Sequence, residues 1–139
     1  MKISTQYSMA VHILVAIEKF KTYKVTSEFL AKSINSNPVV IRRIMSILKD
    51  NNLIDVKFGT GGACLKSEPR NISLYDVYKI ITKNEDVFDF HKNPNLMCPV
   101  GKNIHKLNNH LLAAQKEMEN SLKVVTLQNV IDEMGDNNE

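Results

Sequence analysis

Apolar positions in the opening stretch MKISTQYSMAVHILVAIEKF recur with a helical period. Met9, Val11, Ile13, Leu14 and Ile17 form one broad face, which predicts an amphipathic helix from about Thr5 to Phe20. After a polar link, VTSEFLAKSI offers Thr26 as an N-cap and Glu28 in the first turn, with Phe29, Leu30 and Ile34 on the buried side. NSNPVVIRRIMSILKDNN follows after Asn35 and Ser36 alone. Asn37 suits the next N-cap, Pro38 the first helical position, and Ile41, Ile44, Met45 and Leu48 repeat toward a core. Asn51 and Asn52 end that helix. LIDVKF then alternates as a strand, GTGG makes a hairpin tip, and ACLK returns.

Ser73 with Asp76 starts a fourth helix whose apolar side is Leu74, Val77, Ile80 and Ile81. Residues 84–97 read as loop or irregular strand. A long amphipathic helix is predicted from about Val100 to Val125. Its apolar positions, Ile104, Leu107, Leu111, Ala114, Met118, Leu122 and Val125, are three or four apart, close to a coiled-coil seam. The rest of the chain is small, so a second copy is expected to cover that seam. TLQNVIDEM is a last short helix capped by Thr126, before a polar tail.

Helix, helix, turn, helix and hairpin is the order of a winged helix–turn–helix. The expected fold is mainly α with a small β-hairpin wing and a long C-terminal dimerisation helix. Residues 1–83 would be the DNA-binding domain; residues 84–139 would carry the linker, the dimerisation helix and the C-terminal helix.

Composition narrows the class. No apolar run reaches the roughly 18 residues of a membrane span. The N-terminal stretch lacks a small-residue cleavage site and reads as mature helix. Two cysteines in 139 residues do not make a disulfide framework, so a reducing cytoplasm is expected. Residues 1–70 hold eleven Lys and Arg against five Asp and Glu, and residues 71–139 seven against ten. That asymmetry points the first half at a polyanion, although chance produces it too.

On the predicted recognition helix the outward residues are Asn35, Ser36, Asn37, Val39, Val40, Arg42, Arg43 and Ser46, with Ser27 beside them. Arg can bond guanine or a phosphate, Asn can read adenine, and valines can meet thymine methyls. A solvated face is the plain alternative; the preceding turn and following wing favour DNA. Lys57, Thr60 and Gly61 of the wing, and Lys2, Ser4, Thr5 and Gln6 at the N-terminus, complete the candidate interface. No Ser/His/Asp array, phosphate loop or paired carboxylates suggest an enzyme.

The ordered set MKISTQYSMAVHILVAI, VTSEFLAKSINSNPVVIRRIMSILKDNNLI, GTGGACLKSEPRNISLYDVYKII and TLQNVI resembles the Rrf-two family of bacterial winged-helix regulators along nearly the whole chain. It is most similar to members with NPVVIRR in the recognition helix and CPVG before the dimerisation helix. The resemblance implies a homodimer on a palindromic double-stranded operator, usually acting as a repressor. Cluster-binding members carry three cysteines near the start of the long helix, where this chain has Cys98 alone. A cluster needs a full set of thiolates or substitutes, so no cofactor or metal is expected.

Cys98 precedes Pro99 at a predicted helix start, with Lys102 and Lys92 near in sequence. Helix-end N–H groups lower a thiol pKa, which suits a redox sensor forming a sulfenic acid and then a disulfide, with a cysteine of a second copy or a small thiol. The alternative is a small buried plug, with a ligand or protein partner supplying the signal near Tyr75, Tyr78, Phe88 and Phe90. Cys64 reads as structural. His91, His105 and His110 match no zinc spacing, and His12 reads as partly buried packing.

Overall fold

The computed structural model describes residues 5–57 and 62–135. Helix α1, Thr5–Lys19, buries Ala10, Ile13, Leu14 and Ile17 at helical spacing and also Val15 and Ala16. It is thus covered on more than one side, by α2 (Ser27–Ile34), α3 (Pro38–Asp50) and later elements.

Local polar chemistry sets the α2–α3 turn. The Thr26 hydroxyl accepts from the Phe29 N–H at 3.1 Å and starts α2. Asn35 ends it in the left-handed region at φ 60°, and the Ser36 N–H returns to the Ala31 carbonyl at 2.9 Å. Asn37 Oδ1 then accepts from the Val39 N–H at 2.7 Å, with Pro38 next, and α3 begins. Ile41, Ile44, Met45 and Leu48 enter the same core as α1.

The wing strands are β1, Ile54–Val56, and β2, Ala63–Leu65, antiparallel with Asp55 opposite Cys64. They are shorter than the six-residue run LIDVKF. Gly62 stands where a Cβ would meet the Val25 nitrogen at 2.8 Å, and the Ala63 N–H bonds the Val25 carbonyl at 2.9 Å. The sequence suggested that wing glycines admit a DNA backbone; Gly62 admits the chain's own.

A 3₁₀ turn at Pro69–Asn71 leads to α4, Leu74–Thr82, which opens with the expected Ser73–Asp76 capping box. The predicted single helix from Val100 to Val125 is divided. A short α5, Pro99–Lys102, precedes α6, His105–Lys123. Asn103 lies between them at φ −109°, ψ 16°, and its side-chain amide donates to the Pro99 carbonyl at 2.8 Å, a local bond that competes with helix propagation. Val125 also lies outside α6: its carbonyl accepts from the Leu74 N–H at 2.8 Å, beside the Ser73–Thr126 bridge. That bridge sets α7, Leu127–Met134, against α1, with Leu127 fully buried.

Helix α6 has no buried residue. Its link to α4 includes polar bonds: the Tyr78 hydroxyl donates to Glu119 at 3.1 Å, and Gln115 accepts from the Val87 N–H at 2.9 Å. Of the predicted seam, Ile104, Leu111, Met118, Leu122 and Val125 are half-buried, and Leu107 and Ala114 are exposed.

Leu14→Ala is expected to cost about 2–5 kcal/mol in urea unfolding, as a large-to-small change in a close-packed core. Burial pushes the Tyr7 and Tyr78 phenols up to about 12, Tyr78 also through the Glu119 carboxylate. Their neutral forms are favoured in the folded state, so this contribution is complete below an ordinary tyrosine pKa of 10.0 and is lost as pH rises toward 12. Urea midpoints between pH 8 and 11 are expected to fall only in the upper part of that range, and less steeply in Tyr78→Phe.

Candidate nucleic-acid interface

The outward face of α3 follows from its inward one. With Ile41, Ile44, Met45 and Leu48 buried, Val39, Arg42, Arg43 and Ser46 are exposed. Val39 is 53 % exposed, unusual for a valine and therefore a candidate contact surface. Val40 is half-buried and packs against the core. Asn35 and Asn37 lie in the turn: the first supplies the left-handed residue, and the second caps α3 with its side-chain oxygen. Ser36 is half-buried between them.

On one flank of α3 lies an open cleft of about 590 Å³. Its floor includes Val25, Met45 and Val56, and Lys24, Arg42, Lys49 and Lys57 line it with Ser27, Glu28 and Ser46. Four cations around one concavity focus positive potential where the recognition helix meets the base of the wing. The sequence reading missed Lys24, Glu28 and Lys49 as members of this surface. Lys49 was legible in principle, being one turn beyond Ser46 and two beyond Arg42. Lys24 follows no helical period, and only the folding of the α1–α2 link brings it there.

Thr5 is exposed at the first turn of α1, and Gln6 is half-buried. Lys2, Ser4, Thr60 and Gly61 lie outside the described residues.

Cys98 is exposed at the N-cap of α5, so it is not the buried plug that formed the alternative reading. Its pKa lies below the ordinary thiol value because the Gly101 and Val100 N–H groups face the sulfur, although the side chain closes no full cap hydrogen bond. The cause is helix-end backbone, not the lysines suggested by sequence proximity. Leu96, Met97 and Val100 around it are also exposed. Cys64, expected to be structural, is exposed because alternation along β2 turns it away from the core. The proposed ligand region near Tyr75, Tyr78, Phe88 and Phe90 is occupied at its centre. Tyr78 is buried, meets Tyr7 edge-on at 5.9 Å and stacks on Tyr75 at 5.9 Å. His12 is half-buried and lies 2.9 Å from the Ser33 hydroxyl.

The pattern of the Rrf2 family, described as iron-dependent transcriptional regulators, matches residues 3–133. The donor set of this chain does not fit an iron–sulfur cluster. Among the described residues no three His, Cys, Asp or Glu side chains converge, and Cys98 is the one thiol near α5. Among known proteins the chain is 40 % identical over 133 residues to YwnA of Bacillus subtilis (strain 168), described as an HTH-type transcriptional regulator, covering 95 % of this chain and 98 % of that one. It is 37 % identical to a DNA-binding protein of known crystal structure, with a TM-score of 0.70 over 91 % of this chain and 98 % of the other. The fold also matches CymR, the global cysteine regulator of B. subtilis, at a TM-score of 0.73 and 18 % identity, over 95 % of this chain and 97 % of that one. No described helix is long and apolar enough to cross a membrane. A helix–turn–helix with a basic outward face, on a chain matched nearly end to end, places this protein in the Rrf2 family of transcriptional regulators, a family of DNA-binding proteins and not of enzymes.

Proposed function

We propose that the chain acts as a homodimer on a palindromic operator, represses transcription there, and is switched by oxidation of Cys98. The carrying observation is the α3 face: Val39, Arg42, Arg43 and Ser46 exposed beside a cleft lined by Lys24, Lys49 and Lys57. Val39 and Ser46 suit base edges, Arg42 and Arg43 suit guanine or phosphate, and the cleft lysines suit the backbone. Residues 1–83 supply that surface. The α6 seam supports pairing with a second copy, since Leu107 is 52 % exposed and the helix buries nothing of itself. Two recognition helices then need a fixed separation near one turn of DNA.

The exposed, acidified thiol of Cys98 supports redox control. A peroxide would be the oxidant. The thiolate sulfur attacks one peroxide oxygen, the O–O bond breaks, and the other oxygen leaves as hydroxide or alkoxide, giving a sulfenic acid. A second thiol attacks that sulfur and releases water, giving a disulfide with Cys98 or Cys64 of another copy, or with a small thiol. The bond forms at the base of α6, where a small tilt would change the spacing of the recognition helices.

Gel-shift titration with the DNA upstream of the protein's own gene tests this reading. Reduced protein is expected to bind, and the affinity to fall steeply with salt. Mild oxidation should release wild type but not Cys98→Ser. Equal binding by oxidised and reduced protein would remove Cys98 as the switch and leave a ligand or partner in that role. The alkylation rate of Cys98 should rise with pH through a midpoint below the ordinary ~8.5, because the thiolate reacts; mass spectrometry checks it. Leu107→Asp should weaken self-association in sedimentation without unfolding the chain, since the position is surface-exposed.

A further inference from the structure

One member of the basic cleft has the wrong sign for a surface that meets phosphates. Glu28 is the sole acid among its described lining residues, facing a concavity shared by Lys24, Arg42, Lys49 and Lys57. Its Oε1 lies 3.5 Å from Arg42 Nη1. The same nitrogen lies 3.5 Å from the Ser27 hydroxyl oxygen, and that hydroxyl donates to Glu28 Oε2 at 3.2 Å. One guanidinium nitrogen therefore faces two acceptors on the first turn of α2. Arg43, the next residue, makes no ion pair among the described residues.

This pair is not there for stability. Its side chains are 53 % and 68 % exposed, and exposed ion pairs contribute little. Its effect is geometric. An unrestrained arginine beside DNA takes whatever phosphate is nearest, and phosphate contacts carry no sequence information. A guanidinium held at one edge keeps its approach plane, which bidentate bonding to guanine requires. The carboxylate also repels phosphates, raising the cost of sequence-independent binding more than that of a register in which Arg42 meets a base. Glu28 is charged whenever DNA binding is measured near neutral pH, since bonding by its own backbone N–H and by the Ser27 hydroxyl keeps its pKa below the ordinary carboxylate value.

We infer that Glu28 is a specificity-determining positioning residue of the DNA interface: with Ser27 it holds Arg42 for one base position in each half-site and opposes its capture by the backbone. This rests on the reading of α3 as the DNA-contacting helix. It goes beyond that reading by making an acid, acting through Arg42, responsible for discrimination.

The test uses the full chain and fluorescence anisotropy over a range of salt concentrations. The duplexes are the upstream DNA, a set carrying each single-base change, and a scrambled sequence. The proteins are wild type, Glu28→Gln, Glu28→Asp, Arg42→Gln and the Glu28→Gln/Arg42→Gln double variant, each checked for an unchanged melting temperature. Glu28→Gln is expected to bind scrambled DNA more tightly and to lose roughly tenfold discrimination at one base position per half-site. Glu28→Asp, which keeps the charge but shortens the reach, should still bind scrambled DNA weakly yet lose the same discrimination. In the Arg42→Gln background, Glu28→Gln should change no single-base preference. An equal gain on every duplex with an unchanged base profile would overturn the inference, leaving Glu28 as a through-space charge. A profile change that persists without Arg42 would overturn it too. Wild type that fails to bind duplex DNA, or that Arg42→Gln leaves unaffected on every duplex, would instead bring down the reading of α3 on which the inference rests.

Discussion

The working surface of this molecule depends on the burial of α1. Ala10, Ile13, Leu14 and Ile17 are closed off by α2, α3, α4, β2 and α7, so one helix is the common support of the recognition helix, the wing and the C-terminal helix. A reading helix is useful only if its side chains keep fixed positions against the groove, and close-packed interiors supply that rigidity. The α3 residues that enter this core, Ile41, Ile44 and Leu48, are fully buried, which fixes the rotation of the helix and so decides that Val39, Arg43 and Ser46 face outward.

The turn before α3 uses its polar side chains on the backbone. Thr26 and Asn37 cap helices, and Asn35 supplies a left-handed φ. Sequence composition alone makes these residues look like a polar DNA-reading patch. Structure divides them: the turn residues set the angle between α2 and α3, and the contact surface moves to the middle of α3 and the cleft beside it. The close approach of Gly62 to Val25 then joins the wing to the start of α2, so the cleft wall and the Ser27–Glu28–Arg42 group share one rigid frame.

Much of this was legible in the chain. The apolar periods of α1 and α3, the Thr26, Asn37 and Ser73 caps and the hairpin signal are local, and the elements form close to where those signals stand. Three things were not legible. The break between α5 and α6 depends on an Asn103 side chain bonding backward, which a seven-residue apolar repeat does not reveal. The exposure of Cys64 depends on which face of a three-residue strand meets the core, and so short a strand barely shows its phase. The cleft that joins Lys24 to Lys49 is a product of tertiary folding, as is the pairing of Glu28 with an arginine fourteen positions away.

Helix α6 differs in kind from the elements around α1. It is nineteen residues long and contains no buried residue, and its hydrogen bonds to the body run through Tyr78, Glu119 and Gln115. A helix so placed draws little of its order from its own chain. Its backbone amides belong to the weakly protected class, exchanging with solvent through local opening while those of α1 wait for global unfolding. Anything laid along its exposed face would slow that exchange by mass action, so the hydrogen-exchange lifetime of α6 is a built-in gauge of occupancy, rising with protein concentration when the occupant is another copy of the chain.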